Sequence, residues 1–128
     1  MPTILAAQLE PFAIDLLRAG GATPHEATVV GKSLVAANLR GYESHGVMRL
    51  PFYIQALKDG EVVSQAELTI LGESSTRVVA DANWGFGQVQ ANRLLDLLYA
   101  RTRTEGLAVG TLIPVSYTHL TLPTNREV

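Results

Sequence analysis

The sequence predicts a mixed α/β (α+β) chain: an N-terminal helical layer, then a β-hairpin, then one helix and one strand. Three observations carry this. Up to Gly60, apolar residues recur every three or four positions in runs closed by glycine. After Gly60 the period changes to alternation. From Gln88 a helical stripe returns and leads directly into a short apolar run over residues 107–113. The 128 residues are 47% hydrophobic and 17% charged, enough for one small core and too apolar for disorder.

Residues 3–6 read as a short edge strand. Over residues 7–19, Leu9, Phe12, Ala13, Leu16 and Leu17 form a helical stripe, with Pro11 tolerable only near the first turn and Gly20-Gly21 as the stop. Thr23-Pro24-His25-Glu26 is a helix start: Thr23 as N-cap, Pro24 in the first position, and Glu26 closing a capping box. Ala27, Val30, Leu34 and Ala37 then share a face, and His25 lies in an exposed first turn without a function. Gly41-Tyr42-Glu43 bends the chain toward Ser44, which is placed to cap the next segment or to orient its histidine neighbour. Pro51 either sits in the first turn of one helix or restarts a second helix after a kink. Leu50, Tyr53, Ile54 and Leu57 face one way, and Gly60 ends the run.

Leu68 and Ile70 give one face of a strand, and residues 72–75 a turn to its antiparallel partner over residues 77–81. Gly85-x-Gly87 resembles part of a phosphate loop, but the third glycine is missing and a bend before a helix is the plainer reading. Ala91, Leu94, Leu95 and Leu98 make the buried stripe of the last helix. Arg101 and Arg103 suit its C-terminal dipole, and Gly106 stops it. Residues 107–113 read as a buried strand.

The net charge is −2, with no basic run, so neither nucleic acid nor an anionic membrane is an expected partner. No stretch approaches a membrane span, and the first residues lack the features of a signal peptide. Cysteine is absent, which rules out disulfides, thiolate metal sites and thiol catalysis; it fits a reducing compartment, and the chain is placed in the cytoplasm. No metal site is assigned.

The chemistry concentrates at Ser44-His45-Gly46, with Arg49 four residues after the histidine. Histidine alone has an unperturbed pKa close enough to neutrality to give and take a proton there. If residues 45–49 are helical, imidazole and guanidinium share a face with Cβ atoms roughly 5–6 Å apart. Arg49 could then grip the carboxylate of a small 2-oxo acid as a two-pronged fork, with His45 by the neighbouring carbonyl oxygen.

The block Arg40-Gly41-x-x-Ser44-His45-Gly46-x-x-Arg49-Leu50-Pro51, followed by Asp81-x-Asn83-x-Gly85-x-Gly87-Gln88 and Gly106-x-Ala108-Val109, resembles the N-terminal third of the malate/L-lactate dehydrogenase family. That family has an NAD(P)-binding fold unlike the Rossmann fold and includes ureidoglycolate and sulfolactate dehydrogenases and diketogulonate reductase. The resemblance implies hydride transfer between NAD or NADP and a small 2-hydroxy/2-oxo acid. It matches His45 to the proton donor/acceptor and Arg49 to the carboxylate-binding position, with Ser44 in support. It also implies a homodimeric parent. Residues 1–65 would be the helical catalytic part and residues 66–113 the start of a truncated cofactor domain. The principal nicotinamide-binding segments come later in the family, so no cofactor-binding residue is assigned, Gly85 and Gly87 included.

Residues 115–124 follow no pattern set before them and resemble the translation of a transposon-end adapter used for sequencing libraries. Residues 114–128 are therefore expected to be non-native, His119 is no ligand candidate, and the chain as written is expected to be inactive. The competing reading is a non-catalytic helical interaction or dimerisation module, which has no need of the Ser-His-Gly-x-x-Arg block.

Overall fold

A computed structural model describes residues 2–113. The expectations for residues 114–128 lie outside the described residues. Among the described residues, four α-helices and three strands follow in the order α1 (Ala6–Ala19), α2 (Pro24–Leu39), two short 3-10 turns, α3 (Leu50–Asp59), β1 (Thr69–Glu73), β2 (Arg77–Asp81), α4 (Gly87–Glu105) and β3 (Val109–Ile113). The α/β character is as the periodicities imply.

The helical layer is held by close approach and local caps. Gly31 lets α2 lie against α1, because a Cβ there would stand 2.8 Å from Ile14 Cγ1. The capping box of α2 forms: the Glu26 N–H donates to Thr23 Oγ1 at 3.1 Å, and the Thr23 N–H donates to Glu26 Oε1 at 2.9 Å. Pro51 falls in the first turn of α3, where its missing N–H breaks no helical bond. Gly60, at φ 76°, ends α3 in the left-handed region that favours glycine. Ala13, Leu17, Val30, Leu34, Leu50 and Tyr53 form the buried centre, joined by Val62 and by Phe86 and Val89 at the head of α4.

The sheet has order β1-β2-β3. β1 and β2 are an antiparallel hairpin whose register slips between Ile70 and Gly72, and β3 runs parallel to β2. A parallel neighbour needs a crossover, which α4 supplies. Its core is small: Val78, Ala80 and Leu94, with Leu68, Leu97, Leu98 and Leu112 packed around them. An Arg101–Glu73 ion pair ties the end of α4 to β1.

Several expectations are corrected. Residues 3–5 are not a strand; no edge of the sheet pairs with them, and α1 begins at Ala6. Pro11 lies inside α1 rather than in its first turn, on an exposed side where the lost bond to Ala7 faces water. Phe12 is 56% exposed, because the α1–α2 contact centres on Ala13 and Leu17. Leu95 is 48% exposed: it sits roughly 100° round the helix from Leu94, which faces the sheet. β3 is not fully buried. Exposed and half-buried residues alternate along it, since α4 covers one face only.

Candidate active site

His45 and Arg49 do not lie on one helix. Glu43–His45 and Val47–Arg49 are separate 3-10 turns, and Gly46 between them is extended at φ −94°, ψ −154°. The break has a local cause. Asn38, in the last turn of α2, reaches over Gly46 so that its Oδ1 accepts the Val47 N–H at 2.8 Å. A Cβ at Gly46 would stand 2.2 Å from that oxygen. Glycine here is required by close approach rather than by an unusual φ.

The three expected site residues nonetheless meet. Ser44 Oγ is 3.0 Å from His45 Nδ1, so the serine does not cap the following turn as one expectation had it; neither 3-10 turn has a side-chain cap from it. When the Ser44 hydroxyl donates to Nδ1, the ring proton is on Nε2; when it accepts from Nδ1–H, Nε2 is bare. Arg49 folds back so that its Nε donates to the Ser44 carbonyl at 2.7 Å, and its guanidinium lies over the Phe52 ring at 5.2 Å. Ser44 and His45 are exposed and Arg49 half-buried.

His45 also opens onto a shallow pocket of about 440 Å³ lined with Ser33, Ala37, Arg40 and Tyr42. Behind the turn, Tyr53 is buried and accepts a hydrogen bond from Gln88 Nε2 at 2.9 Å. Burial pushes its phenol above the usual value, against that hydrogen bond and the nearby Arg49 charge, so Tyr53 is protonated at neutral pH. Its ring lies 5.9 Å from that of Phe86. Helix α3, which follows the site-bearing turns, is thus clamped to the head of α4.

Sequence reasoning missed Asn38 and the reach of Glu26. The carboxylate of Glu26, 4% exposed, also accepts from Ser64 Oγ and the Gln65 N–H, each at 2.7 Å. Gln65 is held there at φ 64°. Burial alone would raise the Glu26 pKa, but these donors and Thr23 outweigh it and hold the carboxyl below its ordinary value. The capping-box pattern was the available signal for Glu26; contacts 38 and 39 residues away have none.

Gly85-x-Gly87 does not make a phosphate cradle. A Cβ on Gly85 would meet Ala66 Cβ at 2.9 Å and Gln90 Nε2 at 3.0 Å, so the glycine serves packing inside the protein. The described residues therefore do not fit a dinucleotide at this motif.

The profile of the malate/L-lactate dehydrogenase family matches residues 4–119. The L-sulfolactate dehydrogenase of Methanocaldococcus jannaschii is 33% identical over 96 residues, covering 75% of this chain and 28% of that protein. The malate dehydrogenase of Pyrococcus abyssi is 30% identical over 102 residues, covering 80% and 28%. Among solved structures, malate dehydrogenase from Pyrococcus horikoshii OT3 superposes with TM-score 0.80 at 29% identity, covering 84% of this chain and 31% of that one. A putative malate/lactate dehydrogenase from E. coli gives 0.86 at 27%, covering 92% and 33%. The chain spans 28% of the length of these two curated relatives.

Proposed function

Since the chain belongs to the malate/L-lactate dehydrogenase family, we propose that its full-length parent interconverts a small 2-hydroxy acid and its 2-oxo acid with NAD or NADP. The observation that carries this reading is the Ser44–His45–Arg49 cluster: hydroxyl on Nδ1 at 3.0 Å, guanidinium on the serine carbonyl at 2.7 Å. His45 exchanges the proton through Nε2. In oxidation, with Nδ1–H donating to Ser44 Oγ, the bare Nε2 takes the hydroxyl proton and the ring becomes imidazolium; in reduction, negative charge builds on the substrate oxygen as C2 receives hydride, and the imidazolium returns that proton from Nε2. Arg49 spends only Nε on Ser44, leaving its two terminal nitrogens as a fork for the C1 carboxylate. Ser44 fixes the ring.

The redox chemistry belongs to the nicotinamide nucleotide, held by segments of the parent beyond the residues described. In this reading residues 1–65 are the catalytic part, residues 66–113 begin the cofactor domain, and residues 114–128 are non-native. The 128-residue chain is then inactive. A cytoplasmic homodimer completes the reading. The dimer is supported by the groove where Ile4, Leu39 and Met48, all more than half exposed, come together, an apolar surface suited to a second copy.

The test is a chimera that restores the C-terminal part from a relative. His45→Ala should lower kcat by about 10²–10⁴-fold, and because His45 is exposed it should leave the unfolding midpoint unchanged. Turnover equal to that of the unsubstituted chimera would end the catalytic assignment.

A further inference from the structure

Strand β2 turns Val78 and Ala80 toward α4, where Leu94 and Leu112 pack on them. Side chains alternate along a strand, so Arg77, Val79 and Asp81 belong to the opposite face. The parallel register sets Val109, Thr111 and Ile113 of β3 beside them in that order, and all three are exposed. Parallel strands are ordinarily covered on both faces. Among the described residues this pair is covered on the α4 face and open on the other.

The open face is charged at its two ends. Arg77 begins β2 and Asp81 ends it, about 13 Å apart at roughly 3.3 Å per residue. The Arg77 side chain makes no hydrogen bond or ion pair among the described residues. One Asp81 oxygen accepts the Asn83 N–H at 2.7 Å, and the other accepts nothing there. We propose that this face docks on the same face of a second copy, across a two-fold axis passing over Val79 at right angles to the strands. That axis reverses β2 on its copy, so Arg77 of each copy lies over Asp81 of the other. Val79 meets Val79, Thr111 meets Thr111, and Val109 meets Ile113. A two-fold along the strands would instead stack Arg77 on Arg77 and Asp81 on Asp81, and like charge rejects it. Sheets packed in this way lie about 10 Å apart with their strands within about 30° of alignment. Three strands of five residues present a face of roughly 14 by 17 Å, so the pair is weak and reversible, below the roughly 1,200 Å² of a standard interface. The surface is separate from the groove at Ile4, Leu39 and Met48, and the inference does not rest on the chemistry proposed for His45.

The test is sedimentation equilibrium of the 128-residue chain over a concentration series. A monomer–dimer equilibrium is expected, loosened by salt because its ends are ion pairs at the rim. Thr111→Lys brings two like charges together at the centre of the face and should raise the dissociation constant by about 10-fold or more. Met48→Lys, in the groove, should leave it unchanged. Arg77→Glu and Asp81→Lys should each weaken pairing alone. An equimolar mixture of those two variants should pair as tightly as the unsubstituted chain, because every end then faces its opposite. A chain that stays monomeric up to about 1 mM would overturn the proposal. So would association that survives Thr111→Lys and is lost in Met48→Lys, which would put the second copy in the groove. A mixture that fails to pair, with both variants folded by circular dichroism, would overturn the two-fold arrangement; where Asp81→Lys does not fold, Thr111→Lys decides alone.

Discussion

The helical layer and the sheet solve the same problem to different degrees. The layer encloses its centre: Ala13, Leu17, Ala27 and Val30 have no exposed surface, and Tyr53 and Phe86 close it from below. The sheet has one covered face. Val78 and Ala80 are fully buried under α4, but Val109 and Ile113 are 55% and 47% exposed, as is Leu71 at 56% on β1. Stability follows buried apolar area, so the layer carries most of it and the sheet depends on its attachment. That attachment is specific: Gln88 to Tyr53, and Gln90, wholly buried, donating to Ala66 O at 3.2 Å and to Ala82 O at 2.9 Å. The lesson is that the proposed proton-exchanging group stands on the self-sufficient half.

Breaking the contrast starts with the largest expected effect. Leu17→Ala should cost about 2–5 kcal/mol in urea unfolding, the range for emptying a sealed site. Glu26→Ala comes next, at about 1–3 kcal/mol, because it strands the Thr23, Ser64 and Gln65 donors together. The pH dependence sharpens this. The folded carboxyl titrates below its ordinary value of about 4.3. Its stabilisation is therefore complete above that value and is lost as pH falls through the lower, folded one. Glu26→Gln should flatten the stability profile in that acid window, and an unchanged profile would contradict the network. On the sheet, Leu112→Ala should cost no more than about 1.5 kcal/mol, since the side chain is only partly covered. Ile113→Thr, on the open face, should move stability by less than about 0.5 kcal/mol. Costs on the sheet equal to that of Leu17→Ala would mean one continuous core and no contrast.

The sequence was most readable where one local pattern decides the outcome. Thr23-Pro24-x-Glu26 specifies its own helix start, and Gly60 and Gly106 end α3 and α4 with positive φ. It was least readable where the partner is distant or the close approach is tertiary. Phe12 and Leu95 fit helical periods yet face outward, because the stripe alone does not say which neighbour defines its centre. At the site, a helical spacing between His45 and Arg49 was expected; two 3-10 turns stand there instead, and each of the two side chains is bonded to Ser44, one to its hydroxyl and one to its carbonyl. Nothing in the order of residues announces that Asn38, seven positions before His45, shapes that turn.

The Asn38–Gly46 contact has a practical corollary for anyone who would transplant this corner. Copying the imidazole and the guanidinium onto another scaffold would not reproduce it, because any side chain at position 46 would evict the amide that secures Val47. The smallest portable unit is a helix end that donates an asparagine, a bare α-carbon beneath it, and only then the two reactive groups.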